Sequence, residues 1–125
     1  MLIETPREAL TLTESEKNIA VDIANVLKMH IGKGKALTNK DIRFLFPVGL
    51  SERVIQKMIN HIRNNDLAPC LIASSCGYYI AENEAELIEY EKSLANRINE
   101  LVKVLDKISE QRAIKYSQPY QAKLF

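Results

Sequence analysis

The apolar positions of this 125-residue chain recur at intervals of three and four in four separate stretches, which is the spacing of amphipathic helices. Each stretch follows a residue type that caps helix N-termini, in order Thr13, Thr38, Ser51 and Asn83. The pattern predicts helices at about residues 14–31, from Asn39 to just before Pro47, at 51–65 and at 84–112.

The apolar faces of the first three predicted helices supply a small hydrophobic core. The first face consists of Ile19, Ile23, Val26, Leu27 and His30; the second of Ile42, Leu45 and Phe46; the third of Val54, Ile55, Met58, Ile59 and Ile62.

Two short runs rich in β-branched and aromatic residues, 69–73 and 78–81, predict a pair of strands. They flank the segment Ser74-Ser75-Cys76-Gly77, in which we expect Gly77 to adopt a positive φ. Ala36-Leu37 is a candidate for a short third strand.

This order of elements predicts a winged helix-turn-helix, in a fold that is mainly α with a small β-hairpin (α+β). A long, coiled-coil-like helix follows it. The predicted parts are an N-terminal arm (1–12), a winged-helix domain (13–82), a long helix for dimerisation (83–112) and a flexible tail (113–125).

The polar face of the third helix is the candidate DNA-reading surface. Arginine and lysine form paired hydrogen bonds with guanine, and asparagine and glutamine do so with adenine. No acidic residue occurs from Arg53 to Asn65. The base-reading candidates are Arg53, Gln56, Lys57, Asn60 and Asn64, with His61 and Arg63 placed at the sides for phosphates. The alternative is a polar helix face used only for protein contact.

Three lysines near the start of the second helix, Lys33, Lys35 and Lys40, are further phosphate candidates, since free amides at a helix start also favour anions. The alternative for each is an ordinary solvated lysine. The charge distribution favours a polyanion partner: residues 28–65 hold eight Lys or Arg against two acids, net +6, whereas the whole chain is only +1.

The fourth helix has a heptad pattern. Leu87, Leu94, Leu101 and Ile108 recur every seven residues, and Glu91 interrupts the second series of positions. We expect a homodimer formed through Leu94, Ile98, Leu101, Leu105 and Ile108. The alternative is a monomer in which this helix folds back onto the first helix.

The segment Gln121-Ala122-Lys123-Leu124-Phe125 resembles the short peptide by which bacterial polymerases and repair proteins bind the DNA sliding clamp. The resemblance implies that Gln121 supplies an amide anchor, while Leu124 and Phe125 fill an apolar pocket of the clamp. Ala122 departs from the pattern, which more often has leucine. The alternative is a tail that packs on a dimer mate or stays unstructured.

Residues 51–55, residues 74–81 with their Gly77-Tyr78-Tyr79 run, and residues 86–90 with Ser93-Leu94 and Arg97 resemble small winged-helix proteins of bacteriophages and prophages. The resemblance covers about residues 37–125. It implies binding to double-stranded DNA in replication or gene control.

The resulting hypothesis is a phage-type winged-helix DNA-binding protein that acts in DNA replication or its control and contacts the bacterial sliding clamp. One alternative is an inhibitor of the host clamp that blocks host DNA replication. Another is a dimeric transcription regulator without clamp contact.

No catalytic constellation is recognisable, so we expect no enzyme, cofactor or metal site. No membrane segment is predicted, and the expected location is the cytoplasm, that of the bacterial host if the protein is phage-encoded.

Overall fold

The computed structural model describes residues 11–116 of the chain. Within this range the structure is mainly helical with one two-stranded antiparallel sheet, so the predicted α+β class is confirmed at that level. The elements are α1 (Glu14–Leu27), a 3₁₀ turn (Lys33–Lys35), α2 (Asn39–Leu45), α3 (Glu52–Asn64), β1 (Leu71–Ser74), β2 (Gly77–Ile80) and α4 (Glu84–Tyr116).

Reciprocal capping boxes begin α1 and α2, as their sequences predict. The Glu16 amide donates to Thr13 Oγ1 at 3.1 Å, and the Thr13 amide donates to Glu16 Oε1 at 2.9 Å. Thr38 and Asp41 form the same pair at 3.1 and 2.9 Å. These bonds satisfy amides that have no partner within the helix, and they fix where each helix starts.

Side-chain caps also begin the other two helices. The Val54 amide donates to Ser51 Oγ at 3.2 Å before α3, and the Glu86 amide donates to Asn83 Oδ1 at 3.0 Å before α4. All four helix starts therefore follow from the local sequence.

Helix α1 ends at Leu27, so its predicted extension to residue 31 is wrong. The backbone after Leu27 pairs with β2 instead: the Gly32 amide donates to the Ile80 carbonyl at 2.8 Å, and the Ile80 amide donates to the His30 carbonyl at 2.9 Å. Because His30 lies beyond the helix, it is only half-buried, and its Nδ1 lies 2.8 Å from the Lys35 carbonyl oxygen.

The hairpin has a two-residue turn, since Ser74 pairs with Gly77 across it. Gly77 has a φ of 118°, and a Cβ at this position would lie 2.5 Å from the Leu37 carbonyl oxygen. Only glycine fits both conditions. The predicted third strand is a single antiparallel bridge, in which Leu37 and Tyr78 exchange backbone hydrogen bonds of 2.9 and 2.8 Å.

The core lies between α1 and α3, and α2 and the hairpin complete it. Its members include Ala20, Ile23, Ala24 and Leu27 of α1, Ile42 of α2, Ile55, Met58, Ile59 and Ile62 of α3, and Leu71, Ile72 and Tyr79 of the hairpin. The predicted burial of Leu45 is wrong, because this side chain is 47% exposed. Ile42 and Phe46, one turn apart, occupy the inner side of α2 and leave Leu45 at its edge.

The chain divides into two compact units, Met1–Leu87 and Ile88–Phe125. The first unit contains α1 to α3, the hairpin and the core. The second contains most of α4, which ends at Tyr116, four residues beyond its predicted end. At about 1.5 Å per residue, the 33 residues of α4 extend roughly 50 Å.

Candidate nucleic-acid interface

Helix α3 has one buried face and one polar exposed face. Ile55, Met58, Ile59 and Ile62 are at most 3% exposed, so the rotation of the helix about its axis is fixed. The opposite side carries Arg53, Gln56, Asn60 and Asn64, all of them exposed. Steps of three and four residues place these side chains along one face. The structure therefore brings together four of the predicted base-reading residues.

Lys57, four residues after Arg53 and three before Asn60, also falls on this face but is half-buried, and His61, likewise half-buried, lies at its side. The Asn65 side-chain amide donates to the His61 carbonyl at 2.8 Å and lies 3.2 Å from His61 Nδ1. Asn65 thus caps the last turn of α3 and holds the His61 ring against the helix end. His61 has a structural role here besides the phosphate contact predicted for it.

Arg63 lies at the other side of α3, half-buried and near β2. Burial raises the pKa of the nearby Tyr78 hydroxyl above its ordinary value, while the positive charge of Arg63 opposes this shift and the negative charge of Glu52 adds to it. The Tyr78 hydroxyl donates to Asn39 Oδ1 at 2.9 Å. Arg63 therefore lies near the contact between Tyr78 of β2 and Asn39 of α2, and it is not part of the exposed polar face of α3.

Lys33 and Lys35 are exposed on the 3₁₀ turn, and Lys40 is exposed in the first turn of α2. The amide of Asp41 is occupied by Thr38, so it is not open to a phosphate. Hydrogen bonds from Thr38 hold the pKa of the Asp41 carboxyl below its ordinary value, with smaller contributions from Lys40 and His30. A carboxylate occupies this helix start, and any phosphate contact here depends on the lysine ammonium groups.

The turn of the hairpin offers no basic side chain, as its sequence indicates. The Ser74 hydroxyl donates to the Gly77 carbonyl at 3.2 Å and accepts from the Cys76 amide at 3.1 Å. These bonds are internal to the turn, so they stabilise its shape.

Two features of the first unit were not predicted from the sequence. The first is the Tyr78–Asn39 hydrogen bond, which joins residues 39 positions apart and leaves no local pattern. The second is an exposed apolar group of Phe44, Leu45 and Val48, in which Phe44 is 83% exposed. The exposure of Phe44 could have been predicted from the sequence, because Phe44 lies two positions after the buried Ile42 and so on the opposite side of α2.

The five predicted dimerisation residues are all exposed within the single chain. Their exposed fractions are 36% for Leu94, 59% for Ile98, 68% for Leu101, 62% for Leu105 and 56% for Ile108. The predicted clamp-binding residues Gln121, Leu124 and Phe125 lie outside the described residues.

Within residues 11–116, no helix combines the length and the apolar character that crossing a bilayer requires. The same part of the chain contains no cluster of three or more His, Cys, Asp or Glu side chains suited to a metal ion.

No protein-family model matches the chain, and neither a curated protein nor a solved structure matches it.

Proposed function

We propose that this protein binds double-stranded DNA through the exposed face of α3. In this proposal α2 and α3 form the helix-turn-helix of a winged-helix domain, and the β1–β2 hairpin is its wing. The observation that carries the proposal is the face of Arg53, Gln56, Asn60 and Asn64, which is exposed and polar and contains no acidic residue after Glu52, at the start of the helix.

The chemistry of this face suits the edges of base pairs in a major groove. Arg53 has the planar fork that bonds to O6 and N7 of guanine, and Gln56 and Asn60 carry the amides that bond to N6 and N7 of adenine. Each such pair contributes about 1–3 kcal/mol of discrimination between bases. The buried opposite face supports this use, because a helix with a fixed rotation presents its polar side chains in a constant register.

Phosphate contacts supply affinity without sequence preference. Lys57 is the half-buried member of the polar face of α3, and Lys33, Lys35 and Lys40 are exposed on the segments that precede it. We assign these four ammonium groups to the DNA backbone, which for the half-buried Lys57 replaces the base contact expected from the sequence.

The experiment is selection of duplexes from a random pool, followed by affinity measurement with the best sequence. Arg53→Ala and Asn60→Ala should each weaken binding by about 5- to 150-fold, as the loss of 1–3 kcal/mol requires. The matched control is Asn25→Ala, which removes an exposed amide from α1. Failure to enrich any sequence, or equal affinity of all three variants, would argue for a protein-contact surface.

We further propose that the segment 121–125 binds a bacterial sliding clamp and that the protein acts in phage DNA replication or its control. The support is the resemblance of Gln121, Leu124 and Phe125 to clamp-binding peptides. Leu124→Ala with Phe125→Ala should abolish capture of a purified clamp by the full chain, whereas Lys123→Ala should preserve it. Undiminished capture by the double variant would remove this segment from the proposal.

Finally, we propose that α4 joins two chains, so that one assembly carries two α3 faces. The exposed leucines and isoleucines of α4 support this proposal, since an aliphatic row on a single helix is stabilised by a partner.

A further inference from the structure

The apolar side of α4 is bounded by opposite charges at its two ends. We call the row Leu94, Ile98, Leu101, Leu105 and Ile108 the α4 stripe. Glu91 lies seven residues before Ile98, and Arg112 and Lys115 lie seven residues after Leu105 and Ile108. These three charged residues therefore continue the stripe in both directions along the same side of the helix.

We infer that α4 pairs with α4 of a second copy in the antiparallel direction, centred at the level of Lys103. This inference rests on the proposed dimer and specifies its geometry. Its register places Ile98 opposite Ile108 of the second copy, and Leu101 opposite Leu105 of the second copy. Each contact occurs twice because the pair has twofold symmetry.

The charges at the ends of the stripe favour this direction. In the antiparallel register Glu91 lies opposite Lys115 of the second copy, and Arg112 of that copy lies one layer further in. In a parallel pair, Glu91 would face Glu91, Arg112 would face Arg112 and Lys115 would face Lys115. Opposite charges at a helix interface set the partner and its orientation, and like charges oppose pairing.

Val102 and Val104, which border the stripe at its centre, favour the same direction. They are 45% and 58% exposed in the single chain. In the antiparallel register the two copies of Val102 lie side by side along one edge of the interface, and the two copies of Val104 lie side by side along the other edge. The centre of the interface is therefore apolar on both edges. In a parallel pair, Val102 would lie beside Arg97 of the second copy and Val104 beside Ser109.

The antiparallel arrangement does give up one apolar layer. A parallel pair would bring Leu94 against Leu94, whereas the antiparallel pair brings Leu94 against Arg112 of the second copy. The aliphatic stem of an arginine covers apolar surface while its guanidinium stays in water, so much of the burial of Leu94 is retained. The facing valines and the end charges then distinguish the two directions.

The opposite side of α4 suits solvent. Lys103 and Glu100 form an ion pair of 3.3 Å there, and Lys107 and Glu110 form another of 2.9 Å. Each of these ion pairs forms within one helix, so the four charges are already paired in the single chain. The α4 stripe is the side of the helix that gains most from a partner.

Charge reversal tests the direction of pairing. In sedimentation equilibrium of the full chain, Glu91→Lys and Lys115→Glu should each raise the dissociation constant about five- to tenfold, because each variant replaces two attractive pairs with two repulsive ones. The double variant should recover the wild-type constant. The control Glu89→Lys makes the same charge change on the opposite side of the helix and should have no effect.

The possible outcomes separate the two levels of the proposal. A wild-type chain that stays monomeric throughout the accessible concentration range would overturn both the dimer and its geometry. A dimer that is unaffected by the single reversals, or that the double variant does not restore, would overturn the antiparallel geometry alone. DNA binding by α3 is measured independently of either result.

Disulfide trapping provides a second measurement. With Cys70 and Cys76 replaced by serine, the combination Glu91→Cys with Lys115→Cys should yield covalent dimers on oxidation. Neither cysteine alone should do so. The two positions are about 36 Å apart along one helix, so a disulfide within one chain is not feasible. Efficient covalent dimerisation through the single cysteine at position 91 would show a parallel pair and overturn the inference.

Discussion

The hydroxyl of Tyr78 in β2 donates a hydrogen bond of 2.9 Å to Oδ1 of Asn39 in the first turn of α2. The backbone of Tyr78 also pairs with Leu37, two residues before Asn39. One residue thus ties the hairpin to the segment that begins α2. Through this tie, the proposed wing and the proposed helix-turn-helix form parts of one framework.

Removing the Tyr78 hydroxyl should destabilise the first unit. Tyr78→Phe leaves Asn39 without this partner, and a hydrogen bond of this kind contributes about 0.5–1.5 kcal/mol to the free energy of unfolding. Urea denaturation followed by circular dichroism measures the loss. Tyr116→Phe, which alters an exposed tyrosine of α4, is the control. Equal midpoints for the two variants would show that the bond contributes nothing.

The burial of Tyr78 also predicts a dependence on alkaline pH. Because burial raises the pKa of Tyr78 in the folded state, its contribution to stability is complete below the unfolded tyrosine pKa of about 10 and is lost as pH rises through the folded value. Absorbance titration of phenolate should show one phenol that ionises above the ordinary tyrosine range and that is absent in Tyr78→Phe. A difference between the wild-type and Tyr78→Phe titrations that falls at the ordinary tyrosine pKa would contradict the assignment.

A third prediction concerns Gly77. Gly77→Ala forces a side chain into a positive φ of 118° and places its Cβ 2.5 Å from the Leu37 carbonyl oxygen. We expect a loss of about 1–3 kcal/mol in the free energy of unfolding. Gly34→Ala is the matched control, since nothing lies within 4 Å of a Cβ at Gly34. If both variants unfold at the same urea concentration, neither the strain nor the clash is significant.

The helix starts were predictable because the interactions that determine them are local. Thr13 and Thr38 cap their helices as predicted, and their partners Glu16 and Asp41 lie only three residues further along the chain. The inner face of α3 was predictable for a related reason: the positions from Val54 to Ile62 keep one helical period throughout.

The errors arose where a distant segment competes with a local preference. Residues after Leu27 continue a helical pattern, but their backbone bonds to Ile80, more than 45 positions further on. Leu45 fits the apolar face of an extended helix, whereas α2 contains only seven residues and buries Ile42. A single sequence contains no sign of such long-range pairing, and for the same reason the Tyr78–Asn39 contact was not predicted.

The Asp41 cap predicts a dependence on acid pH. Hydrogen bonds from Thr38 lower the pKa of Asp41 in the folded state, so its contribution is present above the unfolded pKa and is lost as pH falls through the folded value. Asp41→Asn should therefore lower stability at neutral pH and reduce the further loss on acidification. Urea midpoints between pH 6 and pH 2 measure both effects, with Asp106→Asn on α4 as the control. Parallel pH curves for wild type and Asp41→Asn would contradict this role.

The last prediction separates base reading from backbone contact in the proposed DNA complex. Lys57→Ala removes an ammonium group assigned to a phosphate, so affinity should fall to a similar extent for all sequences, and the slope of log affinity against log salt should decrease by about 1. Asn60→Ala removes an amide assigned to a base, so it should relax sequence preference and leave that slope unchanged. Fluorescence anisotropy at several salt concentrations, with selected and scrambled duplexes, distinguishes the two. Lys92→Ala, an exposed lysine of α4, should match the wild type. A change in slope for Asn60→Ala, or a change in sequence preference for Lys57→Ala, would reverse these assignments.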